Sequence, residues 1–400
     1  MPWNPSDMES YREDMVKDLM DIISIPALSP KNGGEGEGAK ADKICEILER
    51  YGIEYRRYDT KDEYGVLRPN IVASVGEGDR NLWIVTHMDV VPPGSRELWN
   101  HDPFKPIYKD GKIYGRGSED NGQAIIASIH AARYIAEKSP ETKYKMNLAI
   151  VADEETGNIY GIKHLAKEGI FSKEDLVIVP DAGTPKGDAI EIAEKSILWL
   201  KIVAEGKQVH ASMPHLGLNA HRINMEFAIN LDKILHEKFA DKNELFSPPE
   251  STFEPTKHVE NVENVNTIPG RDEIYFDCRV LPEHSLDEII SLAKNLADEF
   301  SRKTGGKISV ETPVKVEAPP PTPPDSEIVR ILKQSIKKIR GIEAKPIGIG
   351  GGTCAALFRR LGIHTAVWET IDEVAHQPNE YCIVDNMVND AKVFADIVIL

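Results

Sequence analysis

Two histidines and a group of carboxylates in this 400-residue sequence fall, each time, just beyond a short apolar run. His87-Met88-Asp89 follows 82–85, Asp153-Glu154-Glu155 follows 148–151, and Asp181 follows Leu176–Val179 and Pro180. His376 lies in the segment after 365–368, and Asp120 opens the helix expected after Gly115-Arg116-Gly117. Apolar runs of this length, without strict alternation, suit strands buried on both faces of a largely parallel sheet. In open α/β sheets ligands bind beyond the carboxyl ends of the strands, where the loops converge. Imidazole and carboxylate are zinc ligands, with cobalt or manganese as substitutes. There are more carboxylates here than a single tetrahedral ion can use. One carboxylate shared by two ions about 3.5–4 Å apart accounts for the surplus, and such a pair of ions serves hydrolysis.

Each piece alone has an ordinary reading. A His-x-Asp pair decorates surfaces and cores, an acidic triplet makes a solvated loop, and Gly-Arg-Gly makes a turn. Their co-occurrence, each directly after a buried strand or at the start of a helix, favours a metal site.

The elements that must position these residues follow from periodicity. Ala41, Ile44, Cys45 and Leu48 form one face of a helix that Gly52 terminates. Ile71–Val75 joins the buried runs, and Ile125, Ile129 and Ala132 mark a helix between the second run and the third. This is α/β patterning. From Lys195 the pattern changes. Residues 197–204 read as a strand, 219–238 as a helix, and 258–265 and 273–280 as strands. Ser285-Leu286-Asp287-Glu288 is a capping box opening a helix through Phe300, and 307–314 alternates as a last strand. The order β-α-β-β-α-β is ferredoxin-like. Pro319-Pro320-Pro321-Thr322-Pro323-Pro324 reads as a stiff linker. Beyond it, Ile328, Ile331, Leu332, Ile336 and Ile339 line a helix closed by Gly341.

The expected architecture is an α/β catalytic domain with a mostly parallel sheet flanked by helices, discontinuous over 1–194 and 319–400. An inserted α+β domain over 195–318 interrupts it.

Bulk composition excludes several classes. With 41% hydrophobic and 28% charged residues the chain is globular in type. A net charge of -17 argues against binding nucleic acid or anionic membrane, which needs clustered Lys and Arg. No run approaches the ~18 apolar residues of a membrane span, and the acidic first thirty residues lack a signal-peptide profile. Cys45, Cys278, Cys354 and Cys382 are far apart with no Cys-x-x-Cys, so a cytoplasmic protein with reduced thiols is expected.

Seven motifs carry a resemblance that spans essentially the whole chain: Thr86-His87-Met88-Asp89, Tyr114-Gly115-Arg116-Gly117-Ser118-Glu119-Asp120-Asn121, Asp153-Glu154-Glu155-Thr156-Gly157, His210-Ala211-Ser212-Met213-Pro214-His215, Asn266-Thr267-Ile268-Pro269, Gly351-Gly352-Thr353 and His376-Gln377-Pro378-Asn379-Glu380. The sequence resembles the dinuclear zinc hydrolases that include succinyl-diaminopimelate desuccinylase, acetylornithine deacetylase, aminoacylase and carboxypeptidase G. The resemblance implies a zinc-exopeptidase-like fold in which the inserted domain serves as lid and dimerisation domain of a homodimer. It implies two zinc ions: His87 and Asp181 would bind one, Glu155 and His376 the other, and Asp120 both. Asp89 would orient the His87 ring. Glu154 would be the general base, taking a proton from water and delivering it to the leaving nitrogen. His210 would hydrogen-bond the developing oxyanion in the partner subunit's site. Asn266 and Arg279 would contact substrate, Arg279 by gripping a carboxylate.

Gly351, Gly352 and Thr353 precede an expected helix, 354–361, whose N–H groups could hold a substrate carboxylate. As a phosphate loop the segment is weak, since it has no Walker lysine and no strand is expected directly before it. Two positions depart from the family pattern. Gly122 stands where many relatives have Lys, and Cys354 where many have Asp or Ser. Cys354 reads as a small buried residue, with pocket lining as the alternative. The reaction expected is hydrolysis of a linear amide in a small carboxylate-bearing substrate, an N-acyl amino acid or short peptide. The rivals are a co-catalytic zinc aminopeptidase, expected to lack the inserted unit, and a non-catalytic binding module on the same fold.

Overall fold

The computed structural model describes residues 3–399. The chain divides into two compact units, one of 1–192, 322–347 and 353–400, the other of 193–321 and 348–352. The segment 348–352 thus clusters with the smaller unit, although the sequence pattern grouped all of 319–400 with the larger.

The larger unit is built on an eight-stranded sheet in the order Tyr55–Arg57, Ile71–Val75, Tyr144–Val151, Arg80–His87, Leu176–Val179, His364–Val367, Ala189–Glu194, Lys345–Ile349. The four strands from Tyr144–Val151 to His364–Val367 are adjacent and parallel. Ile71–Val75, which its apolar run grouped with the parallel set, runs antiparallel to its neighbour, as do Tyr55–Arg57 and Ala189–Glu194. The fold is therefore mixed α/β with a mostly parallel centre. That centre matters chemically. Its four carboxyl ends all lie at one edge of the sheet, and they lead into His87, Asp153–Glu155, Asp181 and the loop of His376.

Helices cover the sheet because their apolar faces demand it. Helix Gly38–Arg50 buries Ala41, Ile44, Cys45 and Leu48, and the chain leaves it through Gly52 at φ 66. Helix Ala124–Lys138 is buried along most of its length and packs on helix Val384–Ile399. Each fully buried Ile or Leu there stabilises by about 1.5–3 kcal/mol. Helix Glu327–Arg340 ends at Gly341, φ 69.

The smaller unit carries a four-stranded sheet ordered Thr252–Val259, Arg271–Val280, Ser196–Glu205, Lys307–Val316, antiparallel at every junction. With helices Ala220–Lys238 and Leu286–Thr304 this is the ferredoxin-like order. One sheet face packs Leu198, Leu200, Ile202, Phe276 and Cys278 against Phe227, Leu231, Ile289 and Ala293 of the helices.

Several expectations need correcting. The strand expected over 258–265 is Thr252–Val259. As an edge strand it tolerates Pro255, beside which the register shifts. The helix capped by Ser285 runs through Thr304, stopped by Gly305 at φ 74. The proline run is more than a spacer, because Thr322 is buried and exchanges hydrogen bonds with the Thr365 backbone. A strand, Lys345–Ile349, does directly precede Gly350. Among the described residues no helix is long and apolar enough to cross a membrane.

Candidate metal centre

His87 ends the central strand, and its Nε2 lies 2.9 Å from Asp120 Oδ1 and 3.2 Å from Asp181 Oδ1. His376 Nε2 lies 3.0 Å from Asp120 Oδ2 and 3.0 Å from Glu155 Oε1. Two clusters thus share Asp120, which gives one carboxylate oxygen to each. Within each cluster the potential ligand atoms lie within 4.8 Å of one another. His87 is buried, Asp120, Asp181 and Glu155 are mostly buried, and the His376 side chain is 55% exposed, which leaves an open side.

The electrostatics report a surplus of negative charge. Burial would lower the His87 pKa, but hydrogen bonds to Asp120, Asp181 and Asp89 raise it well above the imidazole range. Hydrogen bonds to Asp120 and Glu155 raise His376 to about 10. Burial raises Asp181, and burial raises Glu155. As the cluster stands, each imidazole proton occupies a place that a cation would take. Neutral imidazoles, ionised carboxylates and a shared Asp are a donor set fitted to two divalent ions.

Asp120 corrects a sequence expectation. It does not open the helix but sits in an irregular turn, Ser118–Gln123, with φ -108 and ψ 96, before helix Ala124–Lys138 begins. Gly117 enters that turn at φ 82. Gly122 has a packing cause: a Cβ there would stand 2.4 Å from Gly117 O and 2.8 Å from Leu19 Cδ1.

Asp89 does more than the ring-orienting role that the resemblance implied. The His87 Nδ1 contact at 3.0 Å is to the Asp89 backbone carbonyl, while the nearer carboxylate oxygen is at 3.5 Å. The carboxylate also accepts the backbone N–H groups of Glu154 and Glu155, each at 3.0 Å. It thereby fixes the two adjacent glutamates relative to the His87 strand. Glu155 joins the His376 cluster. Glu154 does not; its Oε1 accepts from Asn158 Nδ2 at 3.0 Å, and burial, with the neighbouring Asp181 charge, raises it to about 8.

Two carboxylates that sequence reasoning passed over position the ligands reciprocally. Glu380 is fully buried and accepts N–H groups of Gly117, Glu119 and Asp120 at 3.1, 2.9 and 3.1 Å, while pairing with Arg116. Glu119, also buried, accepts from Asp372, Val374 and Ala375 at 2.9, 2.6 and 3.1 Å. Each loop thus holds the other. Arg116 adds a bond to the His376 carbonyl at 3.2 Å. These bonds hold His376 at φ 63, a left-handed conformation costly for a non-glycine residue. The one available sequence signal was that both glutamates flank ligand residues in Gly- or Pro-containing loops.

The remaining candidates lie in the smaller unit, apart from Thr353. His210 is exposed. Its Nδ1 lies 2.8 Å from Ser212 Oγ and 3.2 Å from Ser212 N, contacts that together seat the ring. Asn266 lies beside it through the bond from Ala211 N to Asn266 O, 2.8 Å. Arg279 is held by Asp277 at 2.6 Å and by the Gly350 carbonyl at 3.0 Å, which places it next to Gly351 and Gly352. Thr353 Oγ1 accepts from Ala355 N at 3.2 Å at the start of a helix of only six residues, Ala355–Arg360. Cys354 is buried with Trp83, Val85 and Phe358, in line with the small-core-residue reading.

The fold and the paired His and carboxylate clusters define a metallohydrolase of the α/β class. The chain belongs to peptidase family M20/M25/M40, whose model matches residues 83–399, and it is a hydrolase of amide or peptide bonds. It is 43% identical to an uncharacterized metallohydrolase of Methanocaldococcus jannaschii over 96% of this chain and 98% of that one. It is 27% identical to the succinyl-diaminopimelate desuccinylase of Nitratiruptor sp. over 90% of this chain and 92% of that one. Its fold matches aminopeptidase PepT from Bacillus cereus with a TM-score of 0.76 at 20% identity, covering 97% and 98% of the two chains.

Proposed function

We propose that this protein hydrolyses a linear amide in a small carboxylate-bearing substrate, an N-acyl amino acid or a short peptide, with a pair of divalent ions, zinc foremost. The observation that carries the reading is Asp120, shared between two His-containing clusters, with Glu154 anchored beside them yet part of neither. His87, Asp181 and Asp120 would hold one ion, and Glu155, His376 and Asp120 the other. Bound there, the ions would supply Lewis acidity to the scissile carbonyl and to water. Glu154, whose backbone N–H is fixed by Asp89, takes the proton of the attacking water and passes it to the leaving nitrogen. His210 donates to the developing oxyanion, and Arg279 grips the substrate carboxylate, supported by its rigid seat on Asp277. The 27% identical desuccinylase supports an acyl amino acid as substrate.

We further propose a homodimer through the smaller unit, supported by Met225 and Ile229, one helical turn apart and 42% and 70% exposed, and a cytoplasmic location, supported by four buried cysteines.

Glu154→Gln tests the assignment. It is expected to cost about 10²–10⁴ in kcat on acetyl- and succinyl-amino acids, with zinc content by mass spectrometry unchanged. Loss of zinc would show that Glu154 is a ligand. Wild-type turnover confined to free N-termini would make the protein an aminopeptidase.

A further inference from the structure

The smaller unit gathers two histidines around a buried carboxylate. In strand Arg271–Val280 alternate residues point into the core, and Phe276, Cys278 and Val280 are buried on that face. Asp272 falls on the same face by the period of two and is 1% exposed, a carboxylate at a core position. Its neighbours come from three elements. His221 Nδ1, from the first turn of helix Ala220–Lys238, lies 2.9 Å from Asp272 Oδ1. His258 Nε2, from the edge strand Thr252–Val259, lies 2.8 Å from the same oxygen. Asn261 Nδ2 contacts that oxygen too, while Oδ2 accepts from the buried Asn224 Nδ2 at 2.8 Å. Three nitrogen groups therefore crowd one carboxylate oxygen, which has room for two good hydrogen bonds.

We propose that His221, His258 and Asp272 form a binding site for a divalent transition-metal cation, zinc by ligand type, separate from the catalytic pair. Two imidazoles and a carboxylate are a zinc donor set, and the ligand atoms lie within 4.8 Å of one another. The rings are partly open, with side chains 37% and 43% exposed, so an ion can enter from solvent while the carboxylate stays buried. Asn224 supplies the outer hydrogen bond that orients a ligating carboxylate. The amide of Asn261, turned over to present its oxygen, or a water fills the fourth position. With the ion in place the ring nitrogens offer lone pairs and the crowding at Oδ1 disappears.

The site ties the start of helix Ala220–Lys238 to both ends of the 260–270 loop. That loop carries Asn266, whose carbonyl holds Ala211 next to His210. The ion is thus a structural fastener for the segment that presents His210.

Wild-type protein and the double variant His221→Asn/His258→Gln are stripped of metal, equilibrated with micromolar free zinc and analysed by mass spectrometry. Wild type is expected to hold one more zinc per chain than the variant, whatever the occupancy of the catalytic pair. Equal contents would overturn the site. Should the variant not fold, wild type alone decides. Zinc is expected to protect His221 and His258 from diethylpyrocarbonate, read by peptide mapping, and equal labelling with and without zinc would refute the proposal.

Discussion

Glu119→Gln isolates the hold that one loop has on a metal ligand in another. Glu119 Oε1 accepts from Val374 and Ala375, and Oε2 accepts from Asp372. Glutamine keeps the shape and one oxygen, enough for two of the three donors. Its NH₂ then faces the third N–H, donor against donor. A buried N–H left without an acceptor costs about 1–3 kcal/mol. The cost falls on residues 372–375, directly before His376, whose φ of 63 already stores strain of order 1–3 kcal/mol. Arg116 still ties the His376 carbonyl, so the loop loosens rather than leaves. Zinc affinity at the His376 and Glu155 cluster should fall about 10–100-fold, as for loss of other partners outside the ligand shell. The His87 and Asp181 cluster, seated on strand ends, should keep its affinity. Chelator competition resolves two stepwise zinc constants, and hydrogen exchange reads the amides of Asp372, Val374 and Ala375. The reasoning is refuted if those amides stay fully protected and both constants match wild type.

Two further variants probe separate claims. His210→Ala should lower kcat by about 10²–10³, the cost of one oxyanion donor, with KM little changed; a raised KM at constant kcat would mean that His210 binds substrate instead. Gly122→Ala should lower stability by about 1–3 kcal/mol, as overpacking does, because its Cβ lands on Gly117 O and Leu19; an unchanged denaturation midpoint would show that the turn relaxes freely.

The parts of the fold legible in the sequence are those set by local physics. Buried runs such as Leu176–Val179 announced themselves because strands covered on both faces need no polar alternation. Gly52, Gly341 and the Ser285 capping box marked helix ends through left-handed geometry and side-chain capping. Strand direction was not legible. Nothing in Ile71–Val75 says that it pairs antiparallel, since that depends on how the chain returns to the sheet edge. The edge strand Thr252–Val259 was likewise hard to place, since it carries Pro255 and a register shift beside it and so lacks a regular strand pattern.

The candidate site divides along the same line. His87, Asp120, Asp181, His376 and the triplet Asp153–Glu155 could be picked out because they sat at expected strand ends or a helix start; the resemblance singled out Glu155 within the triplet, and the structure brings the five together. The supports of these residues could not be picked out that way. Glu119 and Glu380 look like surface acids in turns, and their work lies in backbone N–H groups from distant loops, which carry no sequence signature. Asp89 shows the limit most clearly. The resemblance implied that it orients the His87 ring, which its carbonyl at 3.0 Å and its carboxylate at 3.5 Å both face, but nothing in the sequence said that the same carboxylate also holds the backbone of Glu154 and Glu155. One residue thereby fixes a histidine ligand, a carboxylate ligand and the proposed base in a single frame. Removing its carboxylate alone should disturb the glutamates more than the histidine.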